Sequence, residues 1–259
     1  NRAPNADELK RMKALTRQAM EDGALGLGSS LIYAPAFYAK TEELIELAKV
    51  VGEFGGMYIS HMRSEGNQIE AAVEELIRIS KEGKLPAEIY HLKFGGKQNW
   101  HKFDKVIAMI DKARSEGHRI TTDMYTYTAG ATGLDAAMPP WVQEGGLESW
   151  INRLKDPAIR PKIITAMKED SNDWENLYYS AGADKVILAG FRNPELRIHT
   201  GKTLSQLAKE LGKSPEETAI DLVIEDNSRV GAIYFLMSEE NVKRQMKLPY
   251  MSFGSDGSA

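Results

Sequence analysis

Two histidines and an aspartate stand at the ends of apolar segments, where metal and carboxylate chemistry could be assembled. His61 and His91 each end such a segment, and Asp256 lies in a Gly-Ser-Asp-Gly turn after a third. Imidazole nitrogens bind Zn²⁺ at about 2.0–2.1 Å, and a catalytic zinc keeps one position open for water. Such an ion lowers the pKa of its water to about 7, which makes hydroxide available at neutral pH. These residues predict a divalent metal site with a carboxylate beside it, although a histidine at a strand end can also be a hydrogen-bonding loop residue.

Other side chains near the same segments could bind a substrate. Lys93 follows His91 by two positions, so on an extended strand both point to the same side. Its ammonium could hold a carboxylate as a point charge. Tyr33 and Tyr125 lie in loops at the expected carboxyl end of the strands. They could line a pocket, or they could pack against the rest of the protein and hold those loops in place.

Composition excludes several classes of protein. The sequence has no cysteine, which rules out disulfides, cysteine zinc sites and cysteine nucleophiles within it. It contains no complete phosphate-binding glycine loop and no GxSxG elbow. The net charge is −4, and no basic stripe or long apolar run is present. We therefore predict no nucleic-acid or membrane partner, and the lack of cysteine fits a cytoplasmic location.

The elements that must position these residues recur at intervals of roughly 30 residues, the length of one βαβ unit. Strands are predicted to start near residues 24, 57, 87 and 119, with helices between them that glycines end. Such units require parallel strands with right-handed crossovers, and the carboxyl ends of those strands converge. Four consecutive units fit either an open doubly wound sheet or a (β/α)₈ barrel.

This rhythm breaks after residue 125. Residues 130–185 carry the proline pair Pro139-Pro140, the glycine pair Gly145-Gly146 and a charged helix near residues 147–168. We interpret this segment as an insertion in a βα loop that could form a lid. The βα rhythm is predicted to resume with a strand at Val186–Ala189 and to end with a strand at Tyr250–Gly254.

Five blocks of distinctive residues follow one another along the chain: Gly23–Tyr33, Ser60–Gly66, Tyr90–Lys93, Asp123–Gly130 and Gly254–Gly257. In this order they closely resemble blocks of the N-acyl-D-amino-acid deacylases (D-aminoacylases), which are metal-dependent (β/α)₈ barrels of the amidohydrolase superfamily. The resemblance covers nearly the whole chain. It implies an α/β fold, a partial TIM (β/α)₈ barrel of about strands 4 to 8. Residues 1–259 would form one barrel domain, incomplete at both ends, with residues 130–185 as its inserted lid.

The resemblance also implies roles for the residues that could do chemistry. His61 and His91 would bind one tightly held zinc, and the number of metals is left open. Asp256 would be the general acid/base, taking a proton from metal-activated water and passing it to the leaving nitrogen. The family's other ligands, a His-x-His pair and a bridging Cys or Glu, belong to a region upstream of residue 1.

Substrate-binding roles follow in the same way. Lys93 and Tyr125 match residues that hold the substrate carboxylate, and Tyr33 is similar to a tyrosine that lines the pocket. Arg63 lies in the same block as His61 and is a further candidate substrate-binding residue. Thr126 stands where the family usually has proline.

The predicted function is zinc-dependent hydrolysis of the amide bond of a small-molecule N-acyl-D-amino acid. Two alternatives stay open at this point. One is another amidohydrolase, acting on a cyclic amide or a dipeptide with a D-residue. The other is a non-catalytic fragment that keeps the scaffold, because the remainder of the barrel is missing from this chain.

Overall fold

A computed structural model describes residues 2–257, and its strands form two separate sheets. Residues 2–94, 99–126 and 240–257 form one compact unit, called here the parallel unit. Residues 95–98 and 127–239 form a second one, called here the antiparallel unit. None of the helices in the described range is long and apolar enough to cross a membrane.

The parallel unit contains a five-stranded sheet within residues 2–257, in the order β1-β2-β3-β4-β8. Its strands are β1 (Gly26–Ser30), β2 (Met57–His61), β3 (Ala87–Ile89), β4 (Ile120–Met124) and β8 (Met251–Phe253). Every neighbouring pair is parallel. The predicted α/β fold with consecutive parallel strands is therefore confirmed. The carboxyl ends of these strands, which carry the candidate residues, lie at the same end of the sheet.

Helices between these strands cover one face of the sheet. They are α2 (Thr41–Glu53), α3 (Ile69–Gly83) and α4 (Phe103–Ser115), whereas α1 (Ala6–Glu21) precedes β1 and packs against α2, and α10 (Glu239–Gln245) precedes β8. The Asn-x-x-Glu spacing of Asn5 and Glu8 predicts a capping box, and these residues form one at the start of α1. Thr41 stands before an apolar pattern of helical spacing and is therefore a candidate cap, but it is the first helical residue of α2, and its hydroxyl donates to Glu75. A helical Thr41 cannot act as a cap, because a cap residue needs an extended backbone.

The core of the parallel unit lies between this sheet face and the helices. It is built from apolar residues at helical spacing on α2 and α3, such as Ile45, Ala48 and Leu76, together with Tyr58 and Ile89 of the strands. Burying one such aliphatic side chain contributes about 1.5–3 kcal/mol. In β2 the alternation of buried and partly exposed residues turns Tyr58 to this core. His61 points to the opposite face of the sheet, because successive side chains alternate.

The antiparallel unit contains the three strands β5 (Ala129–Gly133), β6 (Val186–Gly190) and β7 (Gly231–Phe235). They pair in the order β5-β7-β6, and both pairs are antiparallel. Its helices are α5 (Leu147–Lys155), α6 (Arg160–Lys168), α7 (Leu177–Ala181), α8 (Leu204–Leu211) and α9 (Pro215–Asp226). Capping boxes open α8 at Thr203 and α9 at Ser214.

The prediction that β6 resumes the parallel βα rhythm was wrong. The strand exists at the predicted position, but its partner is β7, which the sequence pattern did not predict. An apolar run such as Val186–Ala189 indicates a buried strand without indicating the direction of its partner. The antiparallel unit also extends beyond the predicted insertion of residues 130–185, since it continues to residue 239. Its role as a lid stays a prediction.

Candidate metal centre

The two candidate metal-binding histidines lie side by side at the carboxyl ends of neighbouring strands. His61 is the last residue of β2, and His91 follows β3 by two residues. Nδ1 of His61 is 3.0 Å from Nε2 of His91. The ring centroids are 4.5 Å apart, with an interplanar angle of 76°. The sequence prediction that these residues converge is met by this geometry.

The backbone at His91 adopts an uncommon conformation that a neighbouring strand supports. Its φ is +39°, in the left-handed region. The carboxylate of Asp123, near the end of β4, accepts a hydrogen bond from the His91 amide at 2.6 Å. Burial raises the pKa of Asp123 to about 6; the His91 amide opposes this shift, and the neighbouring Glu88 adds to it. Asp123 therefore helps to hold the turn that directs the imidazole of His91 towards His61.

Glu65 completes the group, and sequence reasoning missed it. It lies in the loop between β2 and α3, which Ser64 braces by accepting hydrogen bonds from the amides of Gly66 and Gln68. Within residues 2–257, the ligand atoms of His61, Glu65 and His91 lie within 4.8 Å of one another. The signal that could have found Glu65 is its place four residues after His61, inside the block Ser60–Gly66.

Each oxygen of the Glu65 carboxylate faces a different imidazole. Oε1 is 3.0 Å from Nδ1 of His91, and Oε2 is 3.5 Å from Nε2 of His61. Oε1 also accepts a hydrogen bond from Nζ of Lys93 at 2.6 Å. The side chains of Glu65 and Lys93 are only 6% and 8% exposed, so this charged pair is removed from bulk water.

Electrostatics in this group favour metal binding. Burial lowers the pKa of His61 to about 3, opposed by the charge of Glu65 and assisted by the charges of Lys93 and His91. The imidazole is therefore neutral at pH 7 and has a lone pair to offer. Burial of Glu65 opposes its ionisation, but His61, Lys93 and His91 outweigh this effect and lower its pKa. Since His61 is neutral at pH 7, Lys93 provides the main positive charge that keeps Glu65 ionised.

This donor set fits a zinc ion. Two nitrogens that bind one tetrahedral zinc at about 2.0–2.1 Å lie roughly 3.3 Å apart, close to the 3.0 Å between the facing nitrogens of His61 and His91. Nε2 of His61, which is not one of the facing nitrogens, is buried without a hydrogen-bond partner, so this ring has a second nitrogen that can serve as a donor to an ion. Two neutral imidazoles and a carboxylate are ordinary zinc ligands or ligand supports.

Lys93 and Tyr125, both predicted to bind the substrate, lie together beside the histidines. Nζ of Lys93 is 5.2 Å from the centroid of the Tyr125 ring. That ring is 6.1 Å from the ring of His91. Burial raises the pKa of Tyr125, and the charges of Glu65 and Asp256 add to the effect. Its hydroxyl is thus protonated at neutral pH and can donate to an anion. Tyr33 also joins the group, since its ring centroid is 5.5 Å from that of His61.

Asp256 lies apart from the metal-binding group. It follows β8, is exposed, and has a φ of +51°. The ligand atoms that cluster within 4.8 Å in the described part of the chain do not include its carboxylate. Its charge still acts on Tyr125. Asp256 is therefore at the same end of the sheet, but it is no ligand in this arrangement.

Arg63 is used within the protein in a way that the sequence prediction did not foresee. Its guanidinium donates to both carboxylate oxygens of Glu75, each at 2.9 Å. It also donates to the carbonyl oxygens of Phe37 and Ala39 at 2.9 and 2.8 Å. These bonds tie the loop between β1 and α2 to α3. They support an anchoring role for Arg63, and its contact with substrate stays a prediction.

The anchoring role can be tested by stability. Replacing Arg63 by Ala is expected to lower the free energy of unfolding by about 1–3 kcal/mol, because it leaves the carboxylate of Glu75 and two carbonyls without their donor. Urea denaturation measures this change. The control Arg78→Ala removes an arginine whose partners Glu42 and Glu82 are exposed, and about 0–1 kcal/mol is expected there. Equal effects of the two substitutions would contradict the anchoring role.

Comparisons with known proteins agree on one group of enzymes. No family model matches the chain. The D-aminoacylase of Alcaligenes xylosoxydans xylosoxydans is 30% identical over 263 residues, which cover 99% of this chain and 43% of that protein. The N-acyl-D-glutamate deacylase of the same organism is 28% identical over 98% of this chain and 42% of its own length. The chain thus spans less than half the length of the curated relatives it matches.

Solved structures give the same result. The N-acyl-D-glutamate deacylase from Bordetella bronchiseptica, complexed with zinc and a phosphonate that mimics the tetrahedral intermediate, aligns with a TM-score of 0.75 and 28% identity. The alignment covers 99% of this chain and 44% of that one. A D-aminoacylase described as having a binuclear metal centre aligns with a TM-score of 0.71 and 29% identity, over 98% of this chain and 43% of its own.

Proposed function

We propose that this chain, a homologue of the D-aminoacylases and other N-acyl-D-amino-acid deacylases along nearly its whole length, is the carboxyl-terminal part of the barrel of a zinc-dependent deacylase. The reaction is hydrolysis of the amide bond of an N-acyl-D-amino acid. The observation that carries the proposal is the buried His61–Glu65–His91 group, at strand ends of a fold that aligns with a zinc-containing deacylase.

The five parallel strands correspond in this proposal to strands 4 to 8 of a (β/α)₈ barrel. The sheet ends at β1 on one side and at β8 on the other. The backbone groups at these outer edges are available to pair with further strands. Strands 1 to 3, with the remaining metal ligands, would come from outside residues 1–259. The antiparallel unit would supply the lid.

Different residues of this chain have different roles in the proposed reaction. His61 and His91 would hold zinc through their facing nitrogens, and a second metal would need ligands from the rest of the barrel. When bound, zinc supplies Lewis-acid activation of water and of the amide carbonyl. A carboxylate oxygen of Asp256 accepts a proton from the attacking water and gives it to the leaving nitrogen as the carbon–nitrogen bond breaks.

Substrate orientation falls to Lys93 and Tyr125. An ammonium has three donors, so Lys93 can keep its bond to Glu65 and still donate to the substrate carboxylate. The protonated hydroxyl of Tyr125 is a second donor, and Tyr33 would line the substrate pocket. Arg63 acts indirectly by anchoring the loop that carries Tyr33. The complete protein would act in the cytoplasm.

Metal analysis of the complete protein tests this proposal. We expect at least one zinc per chain by elemental analysis. The double variant His61→Ala/His91→Ala should lose the tightly bound zinc, because two of its ligands are gone. Zinc content unchanged by the double substitution would contradict the assignment of these ligands.

A matched assay with N-acyl-D- and N-acyl-L-amino acids tests the reaction itself. Cleavage of the D-substrates is expected. Activity on cyclic amides or D-residue dipeptides alone would favour another amidohydrolase reaction. Zinc binding without any turnover would favour the non-catalytic alternative.

A further inference from the structure

A buried amide side chain at the end of α10 contacts the turn between His91 and Lys93. Nε2 of Gln245 donates a hydrogen bond to the carbonyl oxygen of Leu92 at 2.7 Å. Gln245 and Leu92 are each only 2% exposed, so bulk water does not compete for this bond. We infer that Gln245 is a positioning residue, which acts through the Leu92 carbonyl to hold the imidazole of His91 and the ammonium of Lys93 in place. This inference rests on the proposed function, in which these two groups bind zinc and the substrate carboxylate.

The turn at His91 needs support from neighbouring elements. Its φ of +39° lies in the left-handed region, and a residue other than glycine stays there only where the surrounding structure fixes it. The amides of His91 and Leu92 donate to the carboxylate and the carbonyl oxygen of Asp123, at 2.6 and 2.9 Å. These bonds attach the turn to β4, whereas the bond from Gln245 attaches it to α10.

Leu92 is the point at which both functional side chains can be controlled. Its N–H belongs to the peptide group that joins it to His91, and its carbonyl belongs to the peptide group that joins it to Lys93. Asp123 therefore fixes the first peptide group, and Gln245 fixes the second. In the described part of the chain, the Leu92 carbonyl accepts no other hydrogen bond. Without the amide of Gln245 it would be a buried acceptor without a partner, which is costly, and the turn would gain free energy by moving.

The same helix provides a matched contact that does not reach the candidate metal centre. Nδ2 of Asn241 donates to the carbonyl oxygen of Trp100 at 2.9 Å, and Asn241 is 7% exposed. Asn241 lies four residues before Gln245, so both are on one face of α10. Trp100 lies just before α4 and is adjacent in sequence to none of the candidate ligands. A comparison of the two amides therefore separates support of the metal centre from general packing of α10.

Zinc affinity of the complete protein is the first test. Gln245→Met keeps an unbranched side chain of similar length but removes the donor. We expect zinc binding, measured in competition with a chelator, to weaken about 10–100-fold, as when a supporting partner of a metal site is lost. In Asn241→Leu the affinity should stay within about twofold, because no ligand depends on Trp100 for its orientation. Urea denaturation of the zinc-free samples should show similar losses of stability, since each variant leaves one carbonyl without its donor.

The two variants also show which conclusion fails. Unchanged zinc affinity in Gln245→Met, or an equal loss in Asn241→Leu, would overturn the positioning role. If the parent protein binds no zinc through His61 and His91, the proposed function fails. If it binds zinc there and Gln245→Met binds zinc equally well, only the role of Gln245 fails.

Proton exchange in the parent protein is the second test and needs no variant. Coupling between two binding events is reciprocal, so a bond that supports zinc binding must itself be stabilised by zinc. Addition of zinc should therefore slow the exchange of the Gln245 side-chain amide protons with water, measured by NMR, and slow it more than that of the Asn241 amide protons. Equal slowing of both, or no slowing at Gln245, would overturn the inference.

Discussion

Replacing Asp256 by Asn is expected to lower the turnover of the complete protein by about 10²–10⁴-fold, the usual contribution of a general acid/base. Zinc content should not change. The amide cannot take up the proton of the attacking water, yet it has nearly the same shape. Asn also adopts the left-handed backbone conformation readily, which suits the φ of +51° at this position. Steady-state kinetics on an N-acyl-D-amino acid and elemental analysis of the same samples provide the measurement.

The control for this substitution is Asp22→Asn, which alters an exposed carboxylate at the end of α1. Its turnover should equal that of the parent protein. Loss of zinc in Asp256→Asn would indicate that Asp256 is a ligand instead of a proton carrier. Unchanged turnover would show that Asp256 is not the general acid/base.

Replacing Lys93 by Met is expected to lower the free energy of unfolding by about 3–5 kcal/mol, because it leaves one member of a buried ion pair without its partner. Glu65 would keep its charge inside the protein without the ammonium that now lies 2.6 Å from its Oε1. Adding Glu65→Gln to this variant should recover part of the stability, since no uncompensated carboxylate remains. Urea denaturation of the zinc-free single and double variants measures both effects.

Lys105→Met serves as the comparison, because Lys105 forms an ion pair with Glu70 at the surface and is 67% exposed. Exposed pairs contribute about 0–1 kcal/mol, so its effect should be small. A double variant at Lys93 and Glu65 that is less stable than Lys93→Met alone would contradict the buried-pair explanation. The KM for N-acyl-D-amino acids should rise in Lys93→Met if this side chain also holds the substrate carboxylate.

The order of parallel strands was predictable because its signals are local. Strand β2 begins at Met57, where a strand was predicted, and α3 begins at Ile69, the first residue of an apolar pattern with helical spacing. Parallel strands that are joined by one helix have their carboxyl ends at the same end of the sheet. His61 and His91 were therefore expected at neighbouring strand ends from sequence position alone. Lys93 also lies beside His91, but not through strand alternation, because β3 ends at Ile89 and His91 has a φ of +39°.

The antiparallel unit could not be predicted by the same reasoning. Strands β5 and β7 are far apart along the chain, yet Gly133 of the first pairs directly with Gly231 of the second. Glycine and alanine dominate β5, so its composition carries little strand signal. The pairing is a long-range contact that depends on tertiary folding, and a short stretch of sequence does not reveal it.

By itself, the sequence determined the βα order, the helix caps at Asn5, Thr203 and Ser214, and the placing of two histidines at neighbouring strand ends. These features depend on a few consecutive residues and on periodicity. The tertiary structure decided the partners of the charged side chains. Arg63 is paired with Glu75, and Glu65 lies next to both imidazoles with Lys93 as its counter-charge. The physical reason is that a buried charge is stable only where another part of the fold brings a partner within hydrogen-bond distance, and that distance is a property of packing.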